Sequence, residues 1–342
     1  MTATDFALAP PHTAVEAGFV GGASSAVVGL NAPVRSLQML DLQAAAGASE
    51  VYLALPPVGG ALSFDGLPSA RDGEPTQVTT RRTLTALVTE AHHRGLRAHF
   101  CADAPAVAPS RRDDWLAHAR IGIEAGADTV VVGSLATLAW LTDAHPGVDV
   151  VAGGQLGVST TSFARHIAAT YGVRRIVLPH EITLDEIARF TALGTQLGVE
   201  IEVPVQTGSG LGCRGCRLAD QPGAGLGCRA GYRGGVAGED VDLGGFLDGA
   251  GDCALCDVPT LAALGVRALQ VPGRESPNLR QNAKITQMYR RAVDGAAAAR
   301  PMVDVVADID RVELMWQMAW VPRLCERARC RFRDTPARRA YV

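Results

Sequence analysis

The stretch Glu124 to Gly133, EAGADTVVVG, decides the fold in ten residues. A helical stretch ends in a small residue plus glycine, which accommodates the positive φ of a helix C′ position, and a β-branched apolar run follows. A short apolar run bounded by turns reads as a buried parallel strand. The same phrase recurs as AAGASEVYLAL at Gly47, HRGLRAHF at Gly95, HPGVDVVAG at Gly147, YGVRRIVLP at Gly172, LGVEIEVPV at Gly198 and LGVRALQV at Gly265. With SAVVGL placed before the segment Val34 to Ala46, these joints predict eight strands. They fall near residues 26–30, 51–55, 96–101, 129–133, 149–152, 175–179, 200–205 and 268–271. The segments between them carry helical spacing and generally open at Thr, Asp or Ser caps. Eight such units predict the α/β class and a TIM-like (β/α)8 barrel. The alternative is a doubly wound open sheet, but no G-x-G-x-x-G follows the first strand, so the usual dinucleotide signature is missing.

Outward from the repeat, the chain of 342 residues divides into an N-terminal arm over 1–24, a barrel over 25–295 and an extension over 296–342. The extension holds an amphipathic stretch, Val312 to Trp320, expected to pack on the barrel or on a partner, and an arginine-rich tail expected to be solvated. With 47% hydrophobic and 20% charged residues, the chain can bury a large core, which excludes a disordered or fibrous protein. A net charge of −3 supplies no global positive field, so nucleic acid is not an expected partner. The N-terminus lacks a basic region followed by an apolar one, and no apolar run reaches the ~18 residues of a membrane span. A cytoplasmic protein without a membrane segment is expected.

Strand seven is followed by a glycine-rich insertion, 206–257, that holds five of the eight cysteines: Cys213, Cys216, Cys228, Cys253 and Cys256. In a barrel such a loop emerges at the C-terminal face, where active sites are built. In a reducing compartment clustered cysteines read as metal ligands rather than disulfides. Two Cys-x2-Cys pairs suit a tetrahedral zinc site or an iron–sulfur cluster, and the spacing does not choose between them. Neither H-E-x-x-H nor G-x-S-x-G occurs, so zinc-protease and serine-hydrolase readings lack their motifs. Of 32 basic residues only Lys284 is a lysine, which leaves carboxylate recognition to arginine.

Four segments carry a family resemblance: VYLAL (51–55), AGGQLGVST (152–160), RIVLPHEITLDEI (175–187) and LGVRALQVPGRESPNLRQNAKITQMYRRAVDG (264–295). Over roughly 25–295 the chain resembles the collagenase-like peptidase family, the U-thirty-two peptidases. The resemblance implies a TIM-like barrel carrying a [4Fe–4S] cluster. Its short members resemble oxygen-independent hydroxylases that take oxygen from prephenate; the family name implies a peptidase instead, and its paired paralogous members imply a non-catalytic metal-binding subunit of a heteromeric enzyme as a third reading. RNA-modifying members tend to carry a further C-terminal domain, so a small aromatic or quinone-like substrate is expected here. The implied ligands are Cys213, Cys216, Cys228 and Cys253, with Cys256 able to replace Cys213, because the family separates its first two cysteines by six residues and this chain by two.

The same resemblance singles out Arg274, Glu181 and Gln155. Arg274 matches the arginine of an E-G-R motif whose glutamate is here Pro272. Glu181 follows His180, which stands where the family has arginine, and Gln155 follows Gly153 and Gly154 in place of Ser-Thr. All four residues fall just past strand ends and are expected to face the barrel mouth. Arg274 suits bidentate capture of a carboxylate, although an ion pair with Glu275 explains it equally well. Glu181 and His180 suit proton transfer, with a helix N-terminal role ahead of the Thr183 cap as the alternative for Glu181. Gln155 suits orienting a polar ligand.

Overall fold

The computed structural model describes residues 28–56, 64, 77–206, 252–274, 276, 278–327 and 329–332, and the backbone of strands at 70–71, 74–75, 232–236 and 239–244. Eight parallel strands close into a barrel. They are β1 Gly29–Pro33, β2 Glu50–Leu53, β3 Arg97–Ala102, β4 Thr129–Val132, β5 Val150–Ala152, β6 Arg175–Val177, β7 Glu200–Pro204 and β8 Ala268–Gln270. Each pairs with its successor, and β8 returns to β1 through Gly29↔Ala268, so no edge strand remains. This is the TIM-like (β/α)8 barrel expected from the repeat. The first strand lies three residues later than 26–30. Its place is set by neighbours on both sides, with Asn31 opposite Gln270 and Glu50.

Helices α1 Leu37–Ala45, α2 Arg81–His93, α3 Arg112–Glu124, α4 Leu135–Ala144, α5 Thr161–Tyr171, α6 Leu184–Leu197, α7 Val258–Ala263 and α8 Leu279–Ala297 surround the strands. Side chains alternate along each strand, so one set fills the barrel and the other meets the helices. On β3, Phe100 packs outward into the main core while His99 and Cys101 line the interior. The caps follow the sequence closely. Thr183 caps α6, and Glu186 reaches back to the Thr183 backbone N–H at 2.9 Å; these bonds from Thr183 lower the Glu186 carboxyl's pKa. Six of the seven joint glycines have positive φ. Gly147 does not, because α4 stops at His145 and Pro146 breaks the helix before the glycine.

Beyond the barrel, α9 Met302–Val312 packs on α8 through Val305 and Ile309, and a π-helical segment, Trp316–Cys325, follows. The amphipathic stretch divides by face. Trp316 and Trp320 are buried, stacked 5.8 Å apart, and Trp320 meets Tyr289 edge-on, whereas Leu314 and Met318 are exposed. The chain then returns to the barrel, where Cys330 pairs with Cys253 as an isolated parallel bridge. Arg331 is 2% exposed, contrary to the expected solvated tail, while Arg323 and Arg327 are exposed as expected. Residues 1–24 and the arginines at 333, 338 and 339 lie outside the described residues. Among the described residues, no helix is long and apolar enough to cross a membrane.

Candidate active site at the barrel mouth

A cavity of about 240 Å3 opens along the barrel axis between strand interiors and the loops that follow them. Arg274, Gln155 and His180 all line it, which brings together three of the four residues expected there. Glu181 does not join them. His180 and Glu181 lie in the turn after β6, where His180 is half-buried at the cavity wall and Glu181 is exposed to solvent. The expectation that Glu181 faces the mouth is thereby corrected.

Arg274 sits on a tightly held loop. Gly273 has a φ of 130°, and a Cβ there would approach Asn282 Nδ2 to 2.2 Å, so only glycine fits. Asn282 donates to Pro272 O at 3.1 Å, and buried Arg35 donates to the carbonyls of Arg274 and Ser276. The Arg274 guanidinium lies 5.5 Å from the Tyr52 ring centre, and the Tyr52 hydroxyl donates to Val271 O at 2.9 Å. Arg274 is only 4% exposed, with its guanidinium over an aromatic face at the cavity wall.

His180 Nε2 lies 2.9 Å from Asp252 Oδ2, a partner that sequence reasoning missed because 72 residues separate the two. The carboxylate orients the ring through Nε2, and Nδ1 has no hydrogen-bond partner among the described residues. The C-terminal extension holds this pair from behind. Arg331 donates to the carbonyl of His180 at 2.8 Å, and its backbone N–H donates to Cys253 O at 2.9 Å, so one residue ties both partner segments together.

Of the proposed metal ligands, Cys213, Cys216 and Cys228 lie outside the described residues. Cys253, next to Asp252, is buried; burial pushes its thiol pKa up, opposed by the Leu255 N–H that its Sγ accepts at 3.3 Å. The Tyr289 hydroxyl stands 3.9 Å from the same sulfur. That hydroxyl gives its proton to Val205 O at 2.6 Å, so the Leu255 N–H is the donor that meets the sulfur, and a bound cation would offset the desolvation of a thiolate there. Cys256 and Cys325 act electrostatically on Cys253, and Cys330 pairs with its backbone, so the two tail cysteines lie closer to this region than their positions in sequence suggest. Among the described residues, no three His, Cys, Asp or Glu side chains gather into a metal site.

The fold and this cavity define a parallel (β/α)8 barrel with its polar groups converging at the C-terminal ends of the strands, where this class of protein carries its chemistry. The model of peptidase family U32 matches residues 35–317, and the chain belongs to that family. No curated protein matches the chain. Among solved structures, the chain is similar to the U32 peptidase Mk0906, with 15% identity, 54% of this chain and 70% of that one covered, and a TM-score of 0.40. It is also similar to a putative dihydrodipicolinate synthetase from Pseudomonas aeruginosa, with 10% identity, coverage of 85% and 84%, and a TM-score of 0.46. A third is ribulose-1,5-bisphosphate carboxylase/oxygenase from Pyrococcus horikoshii OT3, with 11% identity, coverage of 86% and 66%, and a TM-score of 0.49.

Proposed function

We propose that this barrel binds a small organic carboxylate and works as an oxygen-independent hydroxylase of an aromatic or quinone-like substrate in a reducing, cytoplasmic setting, with prephenate as oxygen donor. One observation carries the reading: buried Arg274 faces the same cavity as a histidine oriented by a carboxylate. Arg274 captures the carboxylate through paired N–H donors. His180, held by Asp252, takes or gives a proton at Nδ1, and Gln155 offers a polar contact that orients the ligand. Cys213, Cys216, Cys228 and Cys253 would hold a [4Fe–4S] cluster, which when bound supplies one-electron chemistry beside the mouth. A peptidase fits less well, because the sequence offers no recognisable nucleophile–base pair and neither H-E-x-x-H nor G-x-S-x-G.

The test is purification without oxygen, a visible spectrum, and assays of iron, acid-labile sulfide and zinc. Iron and sulfide in equal amounts support the cluster; stoichiometric zinc without sulfide removes it. Incubation with 18O-labelled prephenate and candidate acceptors then reads oxygen transfer by mass spectrometry. Prephenate binding that is the same in Arg274→Gln as in the native chain overturns the carboxylate reading.

A further inference from the structure

The cavity changes character with depth. At the N-terminal ends of the strands lies a polar layer of Asn31, Glu50, His99, Thr129, Arg175 and Glu202. Two residues further along β2, β3, β4 and β6, Tyr52, Cys101, Val131 and Val177 join Val151 of β5 in an apolar collar. Above the collar, Gln155, His180 and Arg274 make a polar rim. Asn31, His99 and Glu202 of the lower layer also line the cavity and form its floor.

The floor is balanced in charge. Arg175 binds Glu50, Glu202 at 2.8 Å and Glu200 at 2.6 Å; Arg97 lies 3.8 Å from Glu50 and Glu200, and Arg267 lies 4.0 Å from Glu200. Three carboxylates thus meet three guanidinium groups, and His99 Nε2 lies 2.9 Å from Glu50 Oε2, so no carboxylate of the floor is left for an ammonium group to neutralise. One acceptor is left over. Asn31 is 3% exposed, and its Nδ2 donates to Glu202 Oε1 at 2.9 Å, which fixes the amide's orientation because a carboxylate only accepts. Asn31 Oδ1 accepts no hydrogen bond among the described residues. A buried acceptor of this kind gains most from a neutral donor brought by a ligand.

We infer that Asn31 Oδ1 is a subsite for a hydroxyl group, so that the ligand is a carboxylate with an apolar body and a hydroxyl at the end remote from the carboxylate. The carboxylate meets Arg274, the body fills the collar and the hydroxyl donates to Asn31. The carboxylate end rests on the reading proposed above; the hydroxyl end rests on the floor alone.

Titration calorimetry on the full chain with 4-hydroxyphenylacetate, 3-hydroxyphenylacetate and phenylacetate tests the subsite. The 4-hydroxy acid is expected to bind about tenfold more tightly than the other two, the scale of one buried hydrogen bond. Asn31→Leu should abolish that preference. The comparison of three acids on the native chain decides the matter even where the variant fails to fold. Equal affinities, with binding still weakened by Arg274→Gln, overturn the floor subsite alone. A hydroxyl preference that survives with no Arg274 dependence keeps the subsite and removes the carboxylate end. Absence of binding by all three acids overturns both.

Discussion

Glu50 shows at residue scale how the barrel floor is held. Burial would raise its carboxyl's pKa, but hydrogen bonds from His99 and Arg175 and the Arg175 charge hold it well below the usual carboxylate range. Arg175 is shifted up in turn: burial works against its charge, and Glu202 and Glu50 outweigh that penalty. A carboxyl depressed in the folded state contributes stability above its unfolded pKa of about 4.3, and that contribution is lost as pH falls toward the folded value. Chemical denaturation from pH 7 to pH 3 should therefore show stability falling below about pH 4.5. Glu50→Gln should be less stable by about 3–5 kcal/mol at pH 7, because it leaves Arg175 with one partner fewer, and should show a flatter acid limb. A variant with the native acid limb would show that Glu50 is not the group responsible. At the rim, Asp252→Asn should shift the His180 tautomer, read from its 15N chemical shifts, and lower turnover about 100-fold. An unchanged tautomer in that variant argues against the pairing.

At the scale of elements, the loop after β8 and the segment 329–332 support the site without facing the ligand. Gly273→Ala forces a side chain into a left-handed backbone and against Asn282, with an expected loss of about 1–3 kcal/mol. Because Arg274 is the next residue, carboxylate binding should weaken together with the melting temperature. Arg331→Ala tests the other support. The guanidinium bonds to the carbonyls of Pro179 and His180, so its removal should speed amide exchange at 179–182 and 252–254 while leaving α2 to α4 as protected as before. Uniform loss of protection across the barrel would mean that Arg331 acts only on global stability. These elements were partly legible in the sequence. The caps of α2, α5 and α6 and six glycine stops follow from local chemistry, because they satisfy backbone groups within a few residues. The burial of Arg331 was not legible, since an arginine among many in a terminal segment carries no local mark of the carbonyls it will reach.

For the whole molecule, closure of β8 onto β1 makes the barrel one cooperative unit, and the extension is packed against it. Tyr289, Trp316 and Trp320 form an aromatic cluster beside Cys253. Removal of residues 300–342 should expose this face, raise binding of an apolar dye and lower the melting temperature by several degrees. A truncated chain with native melting would show that the extension contributes nothing to the barrel.

The sequence by itself determined the eight β/α units and the barrel class, and its family resemblance pointed to three cavity residues, His180, Gln155 and Arg274. The repeat's periodicity and the position of residues just past strand ends are local properties, so they survive in one dimension. Only the tertiary structure decided that Glu181 faces away, that Asp252 reaches His180, and that the tail returns to Cys253. Closure also sets Asn31 and Glu202 on a common floor and balances the buried carboxylates against arginines far apart in the chain. Each of these depends on which distant segments close the ring and on which face a side chain takes when it does.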